Sequence, residues 1–164
     1  MRTTDRKPKK LAPEPDFFLT EKKYTELGRT LAGLKKIQPQ MAAEVARLGE
    51  MGDFSENAEY QLAKGRLRGI NNRILKLQYQ LDHAVIIAPA EATDTVQIGN
   101  SVMIEHNGRV QTYRILGSSE TNPNKGVISH NSPLGAALLG HRVGDAVTVR
   151  IAGKETVFTL LEIQ

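Results

Sequence analysis

Asp53 and Glu56 are the residues in this chain whose type and spacing could do chemistry. They lie in the run Gly52-Asp53-Phe54-Ser55-Glu56-Asn57-Ala58-Glu59-Tyr60. Residues three apart at a helix start share one face, with Cβ atoms about 5–6 Å apart. Two carboxylates at that spacing can share a divalent cation or orient a water beside it. Mg²⁺ takes only one or two protein carboxylates and fills its octahedron with waters and phosphate oxygens. An ordinary helix N-terminus favours the same pattern: Asp53 can cap, Glu56 can sit near N3, and both complement the positive end of the macrodipole. On local pattern alone the cap is the simpler reading. A turn facing solvent cannot complete a Mg²⁺ site unaided, so a chemical role requires a partner that holds the rest.

Two apolar patterns flank this turn and must position it. Thr20 is placed to cap a first helix whose apolar residues are Tyr24, Leu27, Leu31, Leu34, Met41, Val45 and Leu48, with Gln38 in the one missing position. Pro39 predicts a kink and not a stop, because the register resumes unshifted. Gly49 is expected to end the helix as a left-handed cap. The second pattern runs Tyr60, Ala63, Leu67, Ile70, Ile74, Leu77, Leu81 and Ala84. Alternating steps of three and four give each helix the narrow stripe of a coiled-coil seam. Neither stripe can be buried alone, so antiparallel pairing across the turn is the economical solution, and the acids fall at the tip of a rod. Gly65 and Gly69 lie inside the second helix, each costing about 1 kcal/mol relative to alanine. Either they admit a close partner or they have no role; the sequence leaves both open.

Behind the tip the charge has one sign. From Tyr60 to Leu81 the chain carries Lys64, Arg66, Arg68, Arg73 and Lys76 and no acid. Arg66 and Arg73 share one flank of the seam, and Lys64 and Arg68 the other. Solvated helix faces usually mix signs to gain i,i+4 pairs. A one-signed face ending at two carboxylates suggests a track for a phosphate backbone. The formal charge of +4 points mildly the same way. Residues 1–16, with Arg2, Arg6, Lys7, Lys9, Lys10 and three prolines, show no periodicity and read as a flexible basic arm. Cysteine is absent, which excludes a disulfide framework and a thiolate site and fits a cytoplasmic setting. No apolar run approaches membrane-spanning length, and no signal-peptide core follows the basic N-terminus. His83, His106, His130 and His141 have no ligand spacing, and neither a phosphate-binding glycine loop nor a nucleophile elbow is present. Nothing here resembles a self-contained active site.

Residues 88–97 break the helical pattern and read as a linker between a hairpin over 17–87, its acidic tip at 50–59, and a second domain over 98–164. In that domain the period becomes two. Strands are expected over 101–106 and 109–116 about a type I′ turn at Asn107-Gly108, then over 127–129, 146–151 and 156–163, the last two about a turn at Gly153. Ser132-Pro133 predicts a short helix over 134–139 closed by Gly140. This half is a small α+β domain.

With these elements in place, the chain resembles the Gre family of bacterial transcript-cleavage and transcription elongation factors (GreA/GreB), over roughly residues 18–163. The run from Gly52 to Tyr60 is similar to the family's signature at the hairpin tip. Ser132-Pro133-Leu134-Gly135-Ala136-Ala137-Leu138-Leu139-Gly140, followed by Val143-Gly144-Asp145, is similar to its second signature. Tyr60-Gln61 and the basic cluster look more like the GreB branch, Ala58-Glu59-Tyr60 and Ser132 to Gly135 more like GreA.

The resemblance implies an α+β chain in which an antiparallel coiled-coil hairpin precedes an FKBP-like domain. It implies a monomer that is not itself an enzyme and has no cofactor of its own. Its partners would be bacterial RNA polymerase, entered through the secondary channel, and the 3′ end of the nascent RNA. Asp53 and Glu56 would share the Mg²⁺ of the polymerase active site and orient the attacking water. Lys64, Arg66, Arg68 and Arg73 would neighbour the extruded RNA, and Asn131, Ser132, Pro133 and Leu134 would dock the domain on polymerase. One alternative keeps the scaffold without cleavage: a regulator that only occupies the channel. Another, an isomerase or chaperone acting through the FKBP-like domain, is opposed by its lack of tryptophan and its two aromatics, Tyr113 and Phe158.

Overall fold

A computed structural model describes residues 16–51, 58–89 and 93–164. Two long helices form a hairpin, and a five-stranded sheet with one short helix forms the second domain. Helix α1 spans Glu21–Glu50 and runs unbroken through Pro39. Thr20 caps it with φ −68° and ψ 154°, its Oγ1 accepting from the Lys23 N–H at 3.2 Å. Helix α2 is described over Ala58–Asp82.

The helices pack along the expected stripes. Leu27, Leu31, Leu34, Met41 and Val45 are half-buried and Leu48 is buried, facing Ala63 and Ile74, also buried, and half-buried Leu67, Ile70 and Leu77. Gln38 takes its place in the seam by donating from Nε2 to Asn71 Oδ1 at 2.7 Å. That bond pairs one donor with one acceptor and so lowers the cost of two half-buried amides in an apolar stripe.

The end of α1 departs from expectation. Gly49 lies within the helix, which closes two residues later at Met51 with φ −82° and ψ 0°. The Met51 N–H donates back to the Leu48 carbonyl at 3.4 Å. A tightened last turn of this kind satisfies a terminal carbonyl without a left-handed residue, so the glycine is not needed as a cap.

Two strands of two residues were not signalled by the periodicity. Strand β1, Phe18–Leu19, pairs in parallel with β2, Val85–Ile86. They lie just before α1 and just after α2, so they tie the root of the hairpin at the end away from residues 52–57. Leu19 is fully buried there.

The second domain follows its sequence pattern closely. Strands β3 (Ser101–His106), β4 (Arg109–Leu116), β5 (Val127–Ser129), β6 (Ala146–Ile151) and β7 (Lys154–Ile163) form one sheet in the order β5-β4-β3-β7-β6. All neighbours are antiparallel except β4 and β5. Asn107 (φ 51°) and Gly108 (φ 76°) make the β3–β4 turn, and Ala152 (φ 50°) with Gly153 (φ 82°) makes the β6–β7 turn. Positive φ at both central residues is the type I′ geometry that matches strand twist. Helix α3, Pro133–Leu138, lies over the sheet. Val102, Ile104, Ile115, Leu138, Val147, Val149, Phe158 and Leu160 form the core, joined by Val96 from the connecting segment.

Gly65 and Gly69 have nothing within 4 Å of where a Cβ would lie. Among the described residues no contact therefore requires them, and their helical backbone is compatible with alanine. Gly65→Ala with Gly69→Ala should stabilise the hairpin by about 1–2 kcal/mol in total, read from thermal or urea unfolding followed by helical circular dichroism. Replacing Gln38 and Asn71 together by leucine should be neutral or stabilising, whereas either single replacement should cost about 1–3 kcal/mol by stranding a half-buried amide.

Candidate functional site

The hairpin positions the acidic run by connectivity. Residues 52–57 join the far end of α1 to the start of α2, while the opposite ends of both helices are tied together by β1 and β2. Asp53 and Glu56 themselves lie outside the described residues. What is described is their support. Leu48 is buried, and together with Glu44 and Arg47 it borders a groove whose other wall is Glu59, Leu62, Ala63 and Arg66. The two helices therefore remain in contact to within a turn of the acidic run. At 1.5 Å per residue, α1 itself spans about 45 Å from the root to its far end.

Lys64, Arg66, Arg68 and Arg73 all lie exposed on α2. Among the described residues none of the four enters an ion pair. Arg66 and Arg73 border one groove with Leu34, Met41, Gly69 and Ile70, which places them together on one flank as their spacing requires. Lys64 leans the other way, its Nζ 5.7 Å from the centre of the Tyr60 ring, a cation–π distance. Cations on a solvent-facing helix without ion-pair partners keep their field available to an external anion, and salt screens that field over about 8 Å at physiological ionic strength.

The second candidate surface is the turn into α3. Asn131 and Pro133 are exposed, Ser132 is half-buried, and Leu134 is half-buried against the core. Ser132 makes the turn rigid: its Oγ accepts from the Gly135 N–H at 3.0 Å and donates to the Ser129 carbonyl at 2.6 Å. The Asn131 N–H donates to Ser129 Oγ at 3.1 Å. A Cβ on Gly135 would come within 2.1 Å of the Ser129 carbonyl oxygen, so the helix can approach β5 this closely only with glycine there. The turn thus presents Asn131 and Pro133 on a fixed backbone.

A third cluster was not visible in the sequence. Where the hairpin root meets the second domain, Glu120 accepts from the Thr20 N–H at 2.8 Å through Oε2 and from the Thr20 hydroxyl at 2.6 Å through Oε1. Asp16 Oδ2 accepts from the Ser118 N–H at 2.7 Å. Phe18 meets the His130 ring edge-on at 5.1 Å between centroids. These partners are about a hundred residues apart along the chain, so no local pattern announces them. Among the described residues no group of three or more histidines or acids could hold a metal ion, and no helix is long and apolar enough to cross a membrane.

Comparison with known proteins agrees with this two-part organisation. Residues 17–86 match the family model for the N-terminal domain of transcription elongation factors, and residues 91–164 match that for the GreA/GreB C-terminal domain. The chain is 37% identical over 149 residues to the transcription elongation factor GreA of a Nitratiruptor species, covering 88% of this chain and 91% of that one. It is 38% identical over 155 residues to GreA of Chloroflexus aggregans, covering 92% and 99%. The crystal structure of GreA factor homolog 1 (Gfh1) of Thermus thermophilus is 27% identical and overlays on 89% of this chain and 97% of its own, with a loose TM-score of 0.42. The chain belongs to the GreA/GreB family of transcription elongation factors.

Proposed function

We propose that this protein enters the secondary channel of bacterial RNA polymerase and stimulates the polymerase's own cleavage of backtracked RNA, rescuing arrested complexes. What supports the reading is the connection that the Asp53–Glu56 run makes in the chain. It joins the far ends of two paired helices, beyond a basic face that among the described residues spends none of its charge on ion pairs. The second domain docks at the channel mouth through Asn131, Ser132, Pro133 and Leu134, and the hairpin reaches inward. The protein acts as a monomer in the cytoplasm.

Asp53 and Glu56 would hold a Mg²⁺ shared with the polymerase, which when bound supplies Lewis-acid stabilisation of the phosphodiester and a more acidic water. The acids orient that water by accepting its hydrogen bonds. Lys64, Arg66, Arg68 and Arg73 bind the phosphates of the extruded 3′ segment and hold it in line. The factor has no cofactor of its own and no reaction without its partner. It is an accessory that completes an active site, and the catalysis belongs to the polymerase.

Substituting Asp53→Asn or Glu56→Gln should lower transcript cleavage in stalled complexes by at least about tenfold while polymerase binding is retained. Full cleavage by both variants would remove the acids from the mechanism. Inhibition of elongation by the unsubstituted protein, with no cleavage, would favour a factor that only occupies the channel. Replacing Lys64, Arg66, Arg68 and Arg73 by alanine should flatten the salt dependence of cleavage, by about 0.7 in the log–log slope for each phosphate that is no longer neutralised. A series of salt concentrations on one backtracked complex reads this directly.

A further inference from the structure

The root of the hairpin is held to the second domain by side chains that belong to neither the acidic run nor the docking turn. Glu120 straddles the first residue before α1, taking both the N–H and the hydroxyl of Thr20. Asp16 takes the Ser118 N–H at the exposed start of the turn that carries Glu120, although the Asp16 carboxylate itself is only 7% exposed. Between them Gly117 meets the backbone of β1: a Cβ on Gly117 would come within 1.9 Å of the Phe18 carbonyl oxygen. No side chain other than hydrogen fits that contact. The same turn reaches the docking loop, since the Ser118 and Ser129 hydroxyls are hydrogen-bonded at 2.9 Å and Ser129 Oγ accepts from Asn131. A continuous set of hydrogen bonds therefore runs from Asn131 through Ser129, Ser118 and Asp16 to the root of the rod, with Glu120 closing the other side of that root.

The rod makes small angles matter. With an arm of about 45 Å, one degree at the root displaces the far end by about 0.8 Å. A misplacement of about 1 Å in a catalytic group can cost about a hundredfold in rate. Docking through the second domain alone would leave that angle free unless something fixed it.

We propose that Glu120, with Gly117 and Asp16, is a positioning device that sets the direction of the hairpin relative to the docking surface, and so aims the acidic run. The proposal rests on the function proposed above. Glu120 acts at a distance and touches no reacting group. Its two bonds to Thr20 fix both position and twist at the first turn of α1, which a single hydrogen bond could not do. Gly117 permits the backbone contact that makes the bonds short enough to hold.

The test combines a distance with a rate. The chain has no cysteine, so Met51→Cys near the far end and Thr148→Cys on the sheet, both exposed, accept one spin label each. Double electron–electron resonance should give a narrow distance distribution, broadened by Glu120→Ala and displaced by Gly117→Ala. In the unlabelled full-length protein, Glu120→Ala should lower the cleavage rate at saturating factor by about tenfold while the half-saturating concentration moves by less than about twofold. Glu120→Gln, which keeps one acceptor for one of the two donors, should fall between. A narrow distribution in Glu120→Ala would overturn the proposal. So would full cleavage despite a broadened one, or a change in half-saturation alone, which would make Glu120 a docking contact. If Gly117→Ala does not fold, Glu120→Ala decides, because it removes hydrogen bonds from a half-buried site without adding bulk. If the unsubstituted protein stimulates no cleavage, the proposed function falls, and the distance distribution still reports whether Glu120 fixes the rod.

Discussion

Everything in this protein hangs on the seam between α1 and α2. Each helix carries one narrow apolar stripe, and an isolated helix of this composition gains too little from its own hydrogen bonds to persist in water. Only the antiparallel partner covers the stripe. Burial of Leu48, Ala63 and Ile74, with the Gln38–Asn71 bond at mid-height, makes two marginal helices into one rod. The rod has its root tied by β1 and β2, and the acidic run is the connection at its other end. Without the seam, Asp53 and Glu56 would be two surface acids in a turn.

The rod also explains why so little of the protein looks catalytic. Its exposed face carries Lys64, Arg66, Arg68 and Arg73 without ion pairs among the described residues, and its second domain spends its residues on a compact apolar core and a rigid turn at Ser132. Membership of the GreA/GreB family of transcription elongation factors fits this arrangement of a helical hairpin joined to a compact domain. Of the two aromatics of the second domain, Phe158 is buried in the core and Tyr113 packs half-buried against it.

Much of this was legible in the sequence because it rests on local periodicity. The steps of three and four from Leu27 to Leu48 and from Tyr60 to Leu81 mark the seam, whereas Tyr24, the first residue of the expected stripe, is exposed beyond its end. Asn107-Gly108 marks a turn whose flanking strands have the expected bounds. Ser132-Pro133 marks the start of α3 for the same reason: capping chemistry is confined to four residues. What escaped depends on residues far apart. Strands β1 and β2 are two residues each and form only after the hairpin brings Phe18 to Val85. Glu120 gives no sign, a hundred positions away, that it will bond Thr20. Gly49 misled because a glycine near a helix end usually marks a left-handed cap, while here a tightened turn at Met51 does that work. Asp53 and Glu56 were recognisable as a pair, but their local spacing could not separate a helix cap from a metal site.

The central claim is that these two acids lend ligands to a Mg²⁺ held in the polymerase. The most direct measurement is a Mg²⁺ titration of transcript cleavage by a backtracked complex, with and without saturating factor. Added ligands must tighten the shared ion, so the half-saturating Mg²⁺ concentration should fall when the factor is present and return to the value of polymerase alone with Asp53→Asn. An unchanged half-saturating concentration, with only a uniform rise in rate, would contradict the account.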